Sequence, residues 1–181
     1  MRKDLGKKLI FTPLPVLIIG TYDKDGNPNA MNAAWGIQSD YEEVTITLSE
    51  HKTTKNLRET GAFTVSFATK DTITISDYFG VATGNKENKI EKSKVKIEKS
   101  KFVNAPIILD YPLTLECKVK SFEGEKLIGE VMNISVDEKY LKNGKIDYDK
   151  LGIVTFDSVD NTYRIIGESI AKAFSEGLKI K

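Results

Sequence analysis

Residues 25–35 read Asp25-Gly26-Asn27-Pro28-Asn29-Ala30-Met31-Asn32-Ala33-Ala34-Trp35, and this stretch decides the reading of the fold. Asp25-Gly26 is a hairpin turn signal. Pro15–Tyr22 before it is apolar on both faces, as in a buried strand. Ala30–Ile37 is then the expected return strand. Asn and Ala are poor strand residues, so a sheet position filled with them needs another reason. Small side chains let a second group approach the backbone, and amides can read a polar, planar molecule lying there. A plainer alternative is that Trp35, the only tryptophan, fills the core while the amides satisfy a bulge. That alternative explains Trp35 well and the repeated amides poorly.

Working outward, period-two alternation recurs. Val44, Ile46 and Leu48 alternate with Thr45, Thr47 and Ser49. Phe63, Val65 and Phe67 alternate with Thr64, Ser66 and Ala68. Leu113, Leu115, Cys117 and Val119 alternate with Thr114, Glu116, Lys118 and Lys120. Leu127–Val136 is a further strand, with Gly129 at a bulge or a close backbone approach. Thr155–Phe156 and Tyr163–Ile166 are weaker strands. Helices are few: Thr53–Thr60 after a threonine cap, Thr72–Tyr78, and a C-terminal Ser169–Phe174. Local antiparallel connections among six or more strands predict a mainly β fold, a barrel with short helices. The lysine-rich segment Asn85–Lys101 reads as a solvated loop or an amphipathic surface segment. Asp137–Lys150, with Asn143-Gly144, reads as a long hairpin excursion.

The chain has 181 residues, enough for one domain spanning 1–181 with a substantial core. Lys plus Arg is 27 against 26 for Asp plus Glu. That balance gives no electrostatic case for nucleic acid or an anionic membrane as partner. No apolar run approaches the roughly 20 residues that span a bilayer. The charged start lacks the apolar core of a signal peptide, and one cysteine forms no internal disulfide, so a cytoplasmic protein is expected.

Ser49-Glu50-His51-Lys52-Thr53-Thr54 is a second polar cluster, placed where a helix should start. Helix N-termini bind phosphate through free N–H groups and a partial positive charge. Ser49, Lys52 and Lys55 would add a hydroxyl and two cations, although any helix wants such a cap. Thr83-Gly84-Asn85-Lys86-Glu87-Asn88-Lys89 is a polar loop that could bring Lys89 over a cofactor. His51 is the only histidine and Cys117 the only cysteine, so no metal site is expected, and Cys117 reads as an inert core residue. No Gly-x-Gly-x-x-Gly, P-loop or Gly-x-Ser-x-Gly motif is present, which leaves hydrolysis and phosphoryl transfer unsupported.

In order along the chain, these pieces resemble the flavoredoxin-type branch of the flavin reductase family. The resemblance is carried by Pro13-Leu14-Pro15-Val16, Gly20-Thr21-Tyr22-Asp23 and Asp25–Asn29 leading to Met31 and Ala34-Trp35. It continues through His51-Lys52-Thr53-Thr54, Gly61–Ser66, Asp77-Tyr78-Phe79-Gly80 with Thr83-Gly84 to Lys89, Leu115-Glu116-Cys117 and Ile128-Gly129-Glu130-Val131. It ends at Tyr163, Gly167 and Lys172-Ala173-Phe174.

The resemblance implies a Greek-key FMN-binding split barrel that holds FMN without a covalent link, as a homodimer with FMN near the subunit interface. It assigns Asn29, Ala30, Met31, Asn32, Ala33, Ala34 and Trp35 to the isoalloxazine and ribityl chain. Ser49, His51, Lys52, Thr53 and Thr54 fall to the phosphate, and Thr83, Gly84 and Lys89 to the adjacent loop. No separate catalytic residue is implied. The expected activity is electron transfer from NADH, NADPH or a redox partner, through FMN, to flavin, a metal complex or a protein. An FMN carrier or sensor with little turnover is the alternative. Three departures stand out. No histidine occurs in Glu123–Ile128, where nicotinamide-dependent members commonly have one. Thr83 replaces a serine, and Asn88 replaces an aspartate before Lys89.

Overall fold

β1 (Leu14–Pro15) leads into β2 (Leu17–Tyr22), which a tight turn reverses into β3 (Pro28–Ala33). Asp23 builds that turn: its carboxylate accepts from the N–H groups of Asp25 and Asn27 at 3.0 and 2.8 Å. Gly26 takes φ 83°, a left-handed conformation that costs glycine little. The structure is a computed structural model and describes residues 1–180. After β3 come β4 (Gly36–Asp40), β5 (Glu43–Thr47), helix α1 (Lys52–Thr60), β6 (Ala62–Phe67), α2 (Ile73–Val81) and α3 (Lys89–Ser93). β7 (Ile97–Lys99) and β8 (Pro106–Ile108) pair with each other, followed by the long strands β9 (Leu113–Glu123) and β10 (Lys126–Val136). A small hairpin of β11 (Leu141–Lys142) and β12 (Lys145–Ile146), α4 (Tyr148–Leu151), β13 (Val154–Asp157) and β14 (Thr162–Ile165) complete the elements.

Seven strands form one antiparallel sheet in the order β3-β2-β6-β9-β10-β5-β4. The two edge strands are consecutive in the chain, joined only by Ala34 and Trp35. The sheet therefore curls until its edges approach, giving a split barrel. Its interior is packed by Leu17, Ile19, Met31, Ala33, Ile46, Phe63, Val65, Cys117 and Leu127, among others. Gly129 serves the curl in two ways. The β9–β10 register shifts between Ile128 and Gly129, and a Cβ on Gly129 would lie 2.3 Å from Phe63 Cζ. Only glycine admits the phenyl ring there. Burial pushes the Cys117 thiol up to about 12, which leaves it inert.

A second layer covers the outer face of β2. Ile18 and Ala30 pack with Phe79 of α2, Ile90 of α3, Val95, Ile108 and Tyr111. β2 is thus buried on both sides, as its continuous apolar run predicts.

Three expectations are corrected. Ala30–Ile37 is not one strand: it breaks at Ala34–Trp35, because β3 pairs with β2 and β4 with β5 at the far edge. Trp35 sits on that corner 67% exposed, so it does not fill the core. For Asn85–Lys101 the amphipathic surface segment holds rather than the plain solvated loop, since Lys89, Ile90, Val95 and Ser100 are buried and most of the rest faces solvent. Its few apolar residues split between a helix and a strand, so neither period shows. The C-terminal helix over Ser169–Phe174 does not form, and only a short 3-10 turn occurs at Glu176–Ile180. Among the described residues nothing covers its apolar side, and most helical stability comes from such packing.

Candidate functional site

β3 lies at the edge of the sheet, with β2 on one side and, among the described residues, no strand on the other. Backbone groups along a free edge can bind a ligand. Three segments distant in sequence converge there around a cavity of ≈ 210 Å³. β3 supplies Asn29, Met31 and Asn32. The start of α1 supplies His51, Lys52 and Thr53. The end of α2 and the turn after it supply Phe79–Gly84, with Lys89 from α3.

Buried hydrogen bonds fix this arrangement. Asn29 Nδ2 donates to Thr53 Oγ1 at 2.7 Å, tying β3 to α1. Asn32 Nδ2 donates to the Ser76 carbonyl at 2.9 Å, tying β3 to α2. The repeated amides that make β3 a poor strand by composition are therefore its ties to two helices. Two glycines permit the approach. A Cβ on Gly80 would lie 3.3 Å from Asn32 Cβ, and one on Gly84 would lie 2.3 Å from Asn29 Oδ1 and 3.2 Å from Lys52 Cδ. A side chain at Gly84 would displace the turn.

The cavity is electropositive. Lys52 and Lys89 line it, the first turn of α1 carries no acidic residue, and no Asp or Glu lies among the lining residues. Lys52 Nζ is 3.9 Å from Asp23 Oδ2, too long to occupy the ammonium fully. Lys89 is buried, and its Nζ donates to the carbonyls of Phe79 at 3.0 Å and Ala82 at 3.2 Å. These are unsatisfied carbonyls at the end of α2, which favour a cation. Desolvation lowers the Lys89 pKa to about 8; Glu87 opposes that shift, and the charge of Lys52 adds to it. An ammonium has three N–H donors, and two are used by these carbonyls.

The structure brings some expected residues together and leaves others apart. Asn29, Met31, Asn32, His51, Lys52, Thr53, Thr83, Gly84 and Lys89 line the cavity. Ala30 and Ala33 turn their side chains into the two cores. Ala34 and Trp35 lie beyond the cavity on the corner. Thr54 is consumed by capping: the His51 N–H donates to its Oγ1 at 2.8 Å, and its hydroxyl donates back to the His51 carbonyl. Ser49 is exposed, its Oγ 3.2 Å from His51 Nε2. Lys55 is also exposed and faces Glu59. Sequence reasoning left out the wall Phe79–Ala82. A glycine inside a helix, Gly80, was the available signal of a close approach. Asn88 accepts from the Glu91 N–H at 3.2 Å and caps α3. An aspartate there would do the same work, so this departure leaves the turn intact.

A second concavity of ≈ 630 Å³ opens at the mouth of the barrel. Pro13, Pro15, Leu17, Ile37, Val44, Leu115, Val131, Ile134, Ile153 and Ile166 line it. Glu43 is at its edge, paired with Lys120 at 2.7 Å. Among the described residues, no set of His, Cys, Asp and Glu could hold a metal ion, and no helix is long and apolar enough to cross a membrane.

Residues 10–151 match the model of the flavin reductase like domain. The chain belongs to the flavin reductase-like family. It is 34% identical to the flavoredoxin of Desulfovibrio vulgaris (Miyazaki F), over 98% of this chain and 100% of that one, with a TM-score of 0.92. Flavoredoxin from Methanosarcina acetivorans superposes over 100% of both chains at 24% identity and a TM-score of 0.88. An uncharacterized protein of Archaeoglobus fulgidus is 28% identical over 72% of this chain and 76% of its own length. The family is of flavoredoxin type, and membership supports a flavin-binding function of oxidoreductase type.

Proposed function

We propose that the chain binds FMN non-covalently in the cavity beside β3 and acts as an FMN-dependent oxidoreductase. It would take electrons from NADH, NADPH or a redox partner and pass them to flavin, a metal complex or a protein. One observation carries the cofactor reading. Two lysines and an acid-free helix start face one small cavity whose far wall accepts no side chain at Gly84. That is an anion site with room kept open by glycine.

His51, Lys52 and Thr53 would hold the phosphate, and the free edge of β3 with the Phe79–Gly84 wall would hold the rest. FMN, when bound, supplies the hydride and electron chemistry. The chain's own residues orient it. Lys89 sets the end of α2 and keeps one N–H for the cavity, while Met31 and Phe79 exclude water from its floor. We further propose a homodimer that covers the apolar groove at the barrel mouth, since surface of that size and character suits a protein partner.

Carrier function with little intrinsic turnover is the second reading. It is favoured by the β9–β10 hairpin tip, Glu123–Ile128, which carries no histidine. One experiment separates the two. Purified protein is titrated with FMN, then treated anaerobically with NADH and with NADPH, while flavin absorbance is followed. Rapid bleaching by either nucleotide establishes turnover and its donor. Bound flavin that stays oxidised favours the carrier, and failure to bind FMN rejects both.

A further inference from the structure

Beyond β14 the chain leaves the barrel at Ile166, whose N–H donates to the Ile153 carbonyl. Past that point, every hydrogen bond among the described residues stays within the tail: Ser175 to Lys172, Leu178 to Ser175 and Lys179 to Glu176. Yet the tail is apolar at a fixed interval. Ile166, Ile170, Phe174 and Leu178 recur every fourth residue, with Ile180 beyond. Ile170 is 93% exposed and Phe174 103%. Phe174 takes φ 61° within the turn at residues 173–175, so the stripe is not helical in the single chain.

A four-residue interval places these side chains on one stripe of a helix. An isolated amphipathic segment of this length does not hold a helix in water, and it gains one by burying the stripe. The surface nearest to hand is the groove at the barrel mouth, because Ile166 belongs both to the tail and to the groove's lining. Ile166 stands on the groove's rim, so a second copy seated over that groove would meet the tail as it emerges. Fourteen residues reach about 21 Å as a helix and about 46 Å extended, enough to lie across a partner barrel.

We propose that residues 167–180 are an exchange arm: in the dimer each tail docks its Ile170–Phe174–Leu178 stripe, as a helix, on the second copy of this chain. The inference rests on the dimer proposed above and deepens it by naming the segment that crosses. Two-fold symmetry then makes the contact reciprocal, and one exposed stripe yields two buried ones. The N-terminal residues Leu5, Leu9, Ile10 and Phe11 are exposed as well, but their spacing forms no single stripe.

Sedimentation velocity over a concentration series tests this on three proteins: the full chain, a chain ending at Gly167, and the Ile170→Ser/Phe174→Ser variant. Hydrogen exchange of the tail amides is followed at the lowest and highest concentrations. The full chain should be dimeric, both variants should dissociate about 30-fold or more readily, and the tail amides should be protected only in the dimer. Near-UV circular dichroism confirms that the variant barrels stay folded. A full chain that is monomeric throughout overturns the dimer and the arm together. A dimer as tight without the tail overturns the arm alone. Protection that is independent of concentration assigns the tail to its own groove and also overturns it. So does flotation of the full chain with phosphatidylcholine vesicles that is lost on truncation.

Discussion

The barrel carries two concavities of opposite chemistry. The one beside β3 is small, ≈ 210 Å³, and ringed by two amides, two threonines, a histidine and two lysines. The one at the barrel mouth is three times as large, ≈ 630 Å³, and lined mainly by apolar side chains. Volume alone would choose the second as the ligand site, and chemistry chooses the first. Aliphatic area attracts without direction, at about 25 cal/mol per Å² buried, and so suits another protein surface. Converging donors discriminate, because a charge-assisted hydrogen bond contributes about 1.5–3 kcal/mol and only to a group placed to receive it.

The sharpest way to break this division is a charge in the groove. Ile134 lines it on β10 and is 54% exposed in the single chain. Ile134→Asp costs little in a monomer and several kcal/mol once a partner covers it. Sedimentation should show a monomer. The same sample titrated with FMN should keep its affinity within about 10-fold, since the groove and the small cavity share no lining residue. Complete loss of FMN would merge the two regions into one shared site.

Gly84→Val is the converse. Its side chain would have to occupy the space of Asn29 Oδ1, 2.3 Å from the new Cβ. Overpacking costs about 1–3 kcal/mol, and the turn is the element free to move. FMN affinity, read by quenching of flavin fluorescence, should fall about 100-fold. The dimer constant should not change.

The division was unevenly legible in the sequence. Strands of period two, the Asp25-Gly26 turn and the doubly apolar β2 gave the barrel, because each is a local signal. The ordered motifs gave the family. The cavity was half visible: Asn29, Lys52, Thr53 and Gly84 stand in motifs, whereas Phe79–Ala82 join the wall only because α2 folds back onto β3. Ala30, Ala33, Thr54 and Ser49 look equally functional as letters. Ala30 and Ala33 pack into the two cores, Thr54 is spent on the cap of α1 and Ser49 faces solvent, which are geometric facts that composition does not carry. The groove was invisible, since its lining comes from β1, β2, β4, β5, β6, β9, β10, β12, α4 and β13 and needs the whole curl. Ser169–Phe174 shows the reverse error, a true helical period in a segment that packs on nothing among the described residues.

Lys89 gives a subtler test through pH. Burial lowers its pKa to about 8 in the folded chain, so the native state favours the neutral amine. This contribution to stability therefore rises as pH goes from 8 toward the unfolded value near 10.4. Binding an anion has the opposite sign, because it favours the ammonium and takes up a proton. FMN affinity should weaken about 5-fold between about pH 7.5 and pH 9, a range in which the phosphate is already fully ionised. In Lys89→Met that slope should vanish, and a slope that survives would place the titrating group elsewhere.

Thr53 offers the smallest effect and the cleanest division of labour. Its Oγ1 accepts from Asn29 Nδ2 at 2.7 Å in a buried contact, so its own proton is free to be donated into the cavity. Thr53→Ala removes two things at once. Asn29 is left with an unpaired buried donor, which should lower stability by about 1–3 kcal/mol in denaturant unfolding. The ligand loses one hydroxyl, which should weaken FMN by about 5-fold, near 1 kcal/mol. Thr53→Ser keeps the hydroxyl and should recover both. Riboflavin, which lacks the phosphate, separates the roles: if Thr53 serves the phosphate end, Thr53→Ala should weaken FMN and leave riboflavin unchanged. An equal loss for both ligands would mean that Thr53 acts only by holding β3 against α1, and the phosphate would then rest on Lys52 and the first turn of the helix.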